Sequence, residues 1–236
     1  MEYQELKNFG KLYTGNASPR VMMKAFTAIP GDLGFMGTPK FLARLQRENR
    51  YWKKRRFKTA EERGLRDKEF IEGIQYSLAV YTSLLKTCGE DKLWEFYPGL
   101  IRKLAVMMWE DFFPDTEDFL QFPDPWAALR EYMLEFFRTW ERGGVCRFEV
   151  LRETDEELHF RVVDCAWDAM HREYGHPDIV ATTSDSELVV FPRLAQGVGG
   201  DMQNSGRICC GDSCCEWHLS RHRVLNSDRP ALREVL

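Results

Sequence analysis

The hydrophobic pattern of this chain changes period once, at Gly143-Gly144, and that change restricts the fold more than any other feature. Before it, apolar residues return every three or four positions. Phe70, Ile74, Leu78, Tyr81 and Leu85 form one such stripe, Leu93, Phe96, Leu100, Leu104 and Met107 a second, and Trp126, Leu129, Met133, Phe136, Phe137 and Trp140 a third. That is the spacing of amphipathic helices. After it, Cys146, Phe148 and Val150, then Leu158, Phe160 and Val162, alternate with polar residues on either side of Thr154-Asp155-Glu156-Glu157, which is the pattern of a β-hairpin.

Punctuation residues set the boundaries. Thr38-Pro39 predicts a helix over about 39–53, Thr59 to Glu62 has capping-box spacing ahead of the next one, Gly89 ends it, and Asp124-Pro125 opens another. Residues 1 to about 35 are rich in turn formers (Gly10, Gly15, Asn16, Pro19, Pro30, Gly31, Gly34), and read as an arm with one short helix around Arg20 to Thr27. Beyond the hairpin, Cys165 to Tyr174 is helical and stops at Gly175, His176-Pro177 starts a short segment, and Asp185 to Leu194 is helical or mixed. Gln196 to Gly200 then forms a loop, and strands are expected at Gly206 to Cys210 and Cys214 to Arg221. The fold class expected is α+β, an N-terminal helical layer packed on a small antiparallel sheet interrupted by helices. A sheet of about four strands needs such a layer over one face. The change at Gly143-Gly144 is therefore a change of layer within a single domain spanning 1–236, with a helical part over 1–144 and a sheet part carrying the site over 145–236.

A net charge of −4 argues against non-specific binding to nucleic acid or to an acidic membrane surface. The one dense basic run, Lys53 to Lys58, precedes Glu61, Glu62, Asp67 and Glu69 and reads as a solvated helix end. No stretch resembles a secretory signal or a membrane span, so a cytoplasmic protein is expected. A small-molecule substrate is the expected partner, and the supply of Trp and Phe is compatible with a homodimer.

Seven cysteines without an export signal point to reduced thiols, metal ligands or a nucleophile. Four of them fall between Arg207 and His218. No cofactor is expected, and the alternative is zinc held through Cys209, Cys210, Cys214, Cys215 and His218. Strand alternation counts against that set, because Cys215, Trp217 and Leu219 would face one way and Cys214, Glu216 and His218 the other. The thiol reading centres on Cys165, which follows a strand and opens a helix, where the macrodipole favours an anion. His171 and His176 lie on that helix or just past it, and Asp185 follows in a polar loop.

This order of features resembles the L-2-amino-thiazoline-4-carboxylic acid hydrolase family: a strand ending in Cys165, a helix running to Gly175 and Pro177, then Asp185, then Gly211-x-x-x-Cys215-Glu216-Trp217. Glu216 and Trp217 stand where the family usually has Asp and Phe, and Thr182 stands where it has the cysteine of C-x-x-D. The resemblance implies a thiol-assisted hydrolase that opens a C–N bond of a heterocycle such as a 2-aminothiazoline carboxylate. Cys165, Asp185 and Cys215 would be catalytic, and Arg207, His171 and His218 would bind substrate, with Arg207 gripping a carboxylate. Two other readings share these residues: a ring-forming or isomerising enzyme on the same scaffold, and a non-catalytic thiol-rich module that binds a metal or ligand.

Overall fold

The computed structural model describes residues 2–15 and 18–222. Its first long helix, α1 (Pro19–Trp52), starts where the Ser18 hydroxyl accepts the Val21 amide at 3.3 Å, with proline in the first turn. This corrects the expected arm and short helix. The helix runs unbroken through Pro30, Gly31, Gly34, Gly37 and Pro39, and Thr38-Pro39 starts nothing new. Asn16, one of the turn formers, lies outside the described residues. An interior proline costs about 3 kcal/mol, whereas each large apolar side chain withdrawn from water returns about 1.5 to 3 kcal/mol. Val21, Leu33, Phe41 and Trp52 are buried along α1, which packs on α3, and this burial outweighs the local preference.

The later helices fall close to their predicted places, with one correction: Thr59 to Glu62 do not cap the long helix but lie inside a short α2 (Lys58–Glu62). The long helix α3 (Lys68–Cys88) is capped instead by the Asp67 carboxylate, which accepts the Phe70 amide at 2.8 Å, and α4 (Glu90–Phe112) follows across Gly89. After α5 (Thr116–Phe119) comes α6 (Pro125–Arg142), capped by Asp124 on the Ala127 amide at 3.1 Å.

The hairpin is β1 (Cys146–Glu153) and β2 (Glu157–Cys165), followed by α7 (Ala166–Glu173), α8 (Pro177–Ser184), α9 (Glu187–Gly197), β3 (Gly200–Gly206) and β4 (Cys215–Arg221). The four strands form one antiparallel sheet in the order β1-β2-β4-β3. The third strand is therefore not Gly206 to Cys210. It lies earlier, over part of the expected loop, and Ile208–Cys210 is a turn of 3-10 helix. The fold class is α+β as expected. Among the described residues no helix is long and apolar enough to cross a membrane.

One face of the sheet is covered by α6 and its neighbours. Phe137 stacks on Phe148 at 5.4 Å and meets Phe160 at 4.7 Å, and Trp109 and Phe191 close the same aromatic core at 5.4 Å from each other. A second core gathers Phe41, Phe70, Ile74, Leu78 and Tyr97 from α1, α3 and α4 with Met170 of α7. Gly200, at the start of β3, lies against Trp126 of α6. A Cβ there would lie 2.2 Å from the Trp126 ring and 2.8 Å from the Ser220 carbonyl oxygen. Gly200→Val is expected to cost about 1 to 3 kcal/mol through overpacking, read as a lower urea midpoint at unchanged slope.

Candidate active site

The end of β2, the start of β4 and the N-termini of α7 and α9 meet against α4 and α6 around a cavity of about 100 Å³. Its walls include the aromatic rings of Trp109, Phe136, Trp140, Phe191 and Trp217, and its chemistry comes from Cys165, Cys209, Cys215, Asp168 and Glu187. The cavity thus joins residues far apart in the chain because β2 and β4 are neighbours, with Val162 opposite Cys215.

Cys165 is the last residue of β2 and the N-cap of α7. Burial pushes its thiol up to about 12, the Asp168 and Trp167 amides pull the other way, and the negative charges of Glu187 and Asp168 add to the rise. Cys215 is likewise raised, first by burial and then by Glu187 and its neighbouring thiols, while the Ile208 amide donates to its sulfur at 3.3 Å. Cys209 sits in the 3-10 turn with its sulfur 3.1 Å from the Ser184 hydroxyl.

Glu187 opens α9, lines the cavity, and has no hydrogen-bond partner among the described residues. Burial lifts its carboxyl to about 7, held down in part by the positive charge of Arg207. Asp168 is 5% exposed. Its Oδ2 takes the Arg172 Nε–H at 2.6 Å, and its buried Oδ1 has no partner. A carboxyl that exchanges a proton near neutrality, two thiols whose ionisation depends on it and an orphaned acceptor are the parts of an acid–base site.

Of the residues expected to act, Cys165 and Cys215 share this cavity and the other four do not line it. Asp185 Oδ1 lies 2.8 Å from Arg207 Nη1, and Arg207 Nη2 donates to the Ala181 carbonyl at 2.8 Å and to the Ser184 hydroxyl. That fork ties the α8–α9 corner to the 3-10 turn and so sets Glu187, two residues on, and Cys209. Gly211 closes this turn in the left-handed region at φ 102°. His171 is fully buried; its Nδ1–H donates to the Trp167 carbonyl at 2.7 Å, and Nε2 faces the Ser77 hydroxyl at 2.7 Å. His218 lies on the other face of the sheet, 2.8 Å from Glu157, as strand alternation predicts. Of the thiols named in the zinc alternative, Cys209 and Cys215 line the cavity. Cys210 is exposed, Cys214 is 3.9 Å from Glu216, and no three His, Cys, Asp or Glu side chains among the described residues are placed to hold a metal.

Sequence reading missed Glu187 and Asp168. Both look like ordinary acidic residues in a first helical turn, where the macrodipole favours them. The one signal was Glu187 standing directly before the apolar run Leu188-Val189-Val190-Phe191, of which Val190 and Phe191 are buried.

Residues 74–219, more than half of the chain, match the model of the L-2-amino-thiazoline-4-carboxylic acid hydrolase family. The chain belongs to this family. The match runs from the second turn of α3 to Leu219 of β4, so it holds the sheet but for the last two residues of β4, holds every thiol and carboxylate of the cavity, and leaves α1 outside. No curated protein and no solved structure matches the chain. The family's name is that of a hydrolase.

Two buried groups give opposite pH dependences of stability. His171 is lowered from 6.5 to about 4, mainly by burial, so its contribution is intact above pH 6.5 and is lost as pH falls toward 4. Glu187 is raised from 4.5 to about 7, so its contribution is intact below pH 4.5 and is lost as pH rises through 7. Glu187→Gln is expected to raise the thermal midpoint relative to wild type at pH 8 and to leave it nearly unchanged at pH 4.5, measured by calorimetry at the two values.

Proposed function

We propose that the chain is a hydrolase that opens a C–N bond of a cyclic amidine of the 2-aminothiazoline class, with Cys165 as nucleophile and Glu187 as the group that moves the proton. The observation that carries this reading is the unpartnered Glu187 carboxyl sharing an apolar cavity with Cys165 and Cys215.

The negative charge of Glu187 opposes ionisation of Cys165, and when Glu187 takes the thiol proton that opposition is removed. The amides at the start of α7 then stabilise the sulfur anion. In the first step Glu187 accepts the Cys165 proton, the sulfur adds to the C=N carbon, and the π pair moves to nitrogen, which takes a proton from Glu187. The tetrahedral adduct collapses with rupture of a C–N bond: Glu187 passes a proton from the nitrogen that stays to the nitrogen that leaves, so that the departing group is the neutral amine and the retained C=N–H is the thioimidate. Water, deprotonated by Glu187, adds to the remaining thioimidate and expels the Cys165 thiol, which recovers its proton.

Asp168 Oδ1, buried and unpaired, is the acceptor for an amidine N–H, a charge-assisted contact that orients the carbon toward Cys165. Cys215 forms the facing wall and is held by the Ile208 amide. Arg207 and Asp185 act as positioning residues through the corner that carries Glu187.

The test is the pH dependence of kcat/KM for ring opening of 2-aminothiazolines lacking a free carboxylate. Wild type should rise through a limb near pH 7, set by Glu187. Glu187→Gln should lower the rate by about 10² to 10⁴ and lose that limb. A limb retained in Glu187→Gln rejects the assignment.

A further inference from the structure

A second cavity, of about 130 Å³, lies beside the first in the helical layer. The two have Ala105, Met108, Trp167 and Thr183 in common, so a partition one side chain thick separates them. Beyond it the described walls come from α1, α3 and α4, with Phe41, Val80, Leu84, Leu100, Ile101 and Leu104 among them. The two hydroxyls of Ser77 and Thr183 on this wall are engaged inside the protein. Ser77 is bonded to His171 and the Ile74 carbonyl, and Thr183 to the Ile179 carbonyl at 3.0 Å.

The charges facing the first cavity matter as much. Its ionisable carboxylic groups are Asp168 and Glu187, and no Lys or Arg is among its described lining residues. The cation closest in function, Arg207, has both Nη atoms committed to Asp185, Ala181 and Ser184. Its Nε–H, buried and without a partner, is the one donor it has left, so a substrate carboxylate entering there would meet two acidic groups and no paired N–H fork. Met108, with three rotatable bonds, is the adaptable member of the partition.

We propose that the substrate of this chain carries, in place of a carboxylate, an apolar arm that passes Met108 and fills the second cavity, while its neutral or cationic head lies at Cys165 and Asp168. The head placement rests on the proposed function; the arm rests on the two cavities and their lining.

The test is calorimetric binding of two unreactive series, n-alkanamides and n-alkanamidines, from two to ten carbons, to the full chain. Transfer of each methylene from water into an apolar wall predicts a rise in affinity of about fourfold per carbon, until the cavity is full. Val80→Trp and Leu104→Trp obstruct it from different helices, and each should bring the plateau to a shorter chain while acetamidine binding stays as in wild type. Affinity that does not change with chain length in either series, including no binding at all, overturns the proposal, as does a plateau that neither variant moves. Length-dependent binding without turnover of any cyclic amidine would remove the hydrolase reading and leave the arm site standing. Turnover of short cyclic amidines with flat binding would do the reverse.

Discussion

Cys165→Ala is expected to lower kcat for ring opening by at least about 10³ and to leave the fold as it is. The size follows from losing the nucleophile while the rest of the cavity still binds and orients the ring, which leaves only the residual rate that positioning provides. The fold should survive because the loss is one sulfur from a residue at the edge of the aromatic core, whose backbone still ends β2 and starts α7. Cys215→Ala tests the facing wall. It removes the acceptor of the Ile208 amide, so activity should fall as well, with a loss less deep than that of Cys165→Ala. Cys88 is a useful control. Its sulfur lies 3.1 Å from the Leu84 carbonyl at the far end of α3, and Cys88→Ala should leave kcat unchanged. Circular dichroism and a urea titration on each variant separate lost chemistry from lost structure.

Phe160→Ala is expected to cost about 3 to 5 kcal/mol of stability. Phe160 is fully buried at the centre of the sheet, opposite Val150 on one side and Trp217 on the other, with its ring 4.7 Å from Phe137 and 5.3 Å from Phe148. Removing it leaves a cavity that neither the strands nor α6 can close without breaking their own contacts. Val150→Ala, on the same rung but 39% exposed, should stay within about 0.5 kcal/mol of wild type. The contrast between the two, measured by urea unfolding, shows whether the sheet core or the hairpin itself carries the stability that holds Cys165 and Cys215 together.

The parts of this fold that were legible in the sequence are those in which a local pattern and tertiary burial agree. The stripe from Phe70 to Leu85 and the stripe from Trp126 to Trp140 both face a core, and the alternation of Phe148, Phe160 and Trp217 faces α6. The same alternation correctly sends His218 to the solvent face. The parts that were not legible are those decided by partners distant in sequence. Pro30 and Pro39 are breakers on local grounds and sit inside α1 because Phe41 and Trp52 have a core to enter. The strand Gly200–Gly206 offers little beyond Met202 as a buried apolar residue, and is a strand because the edge of β4 is there to pair with. The site follows the same rule. Cys165 was marked by its place at a helix start and Cys215 by the family resemblance, whereas Glu187 and Asp168 become chemically distinctive only when the cavity withdraws them from water. Arg207 looks like a free fork in the sequence, and Asp185 was close enough in the fold to occupy it.

The central claim is that Cys165 forms a covalent bond to the substrate carbon and that Glu187 governs its making and breaking. Intact-protein mass spectrometry of wild type, acid-quenched within the first turnovers of an excess of a cyclic amidine, tests it most directly. The account predicts a mass increase equal to the retained thioimidate fragment, mapped by peptide digestion to Cys165 and missing in Cys165→Ala. Turnover without any adduct, together with full activity in Cys165→Ala, would contradict it.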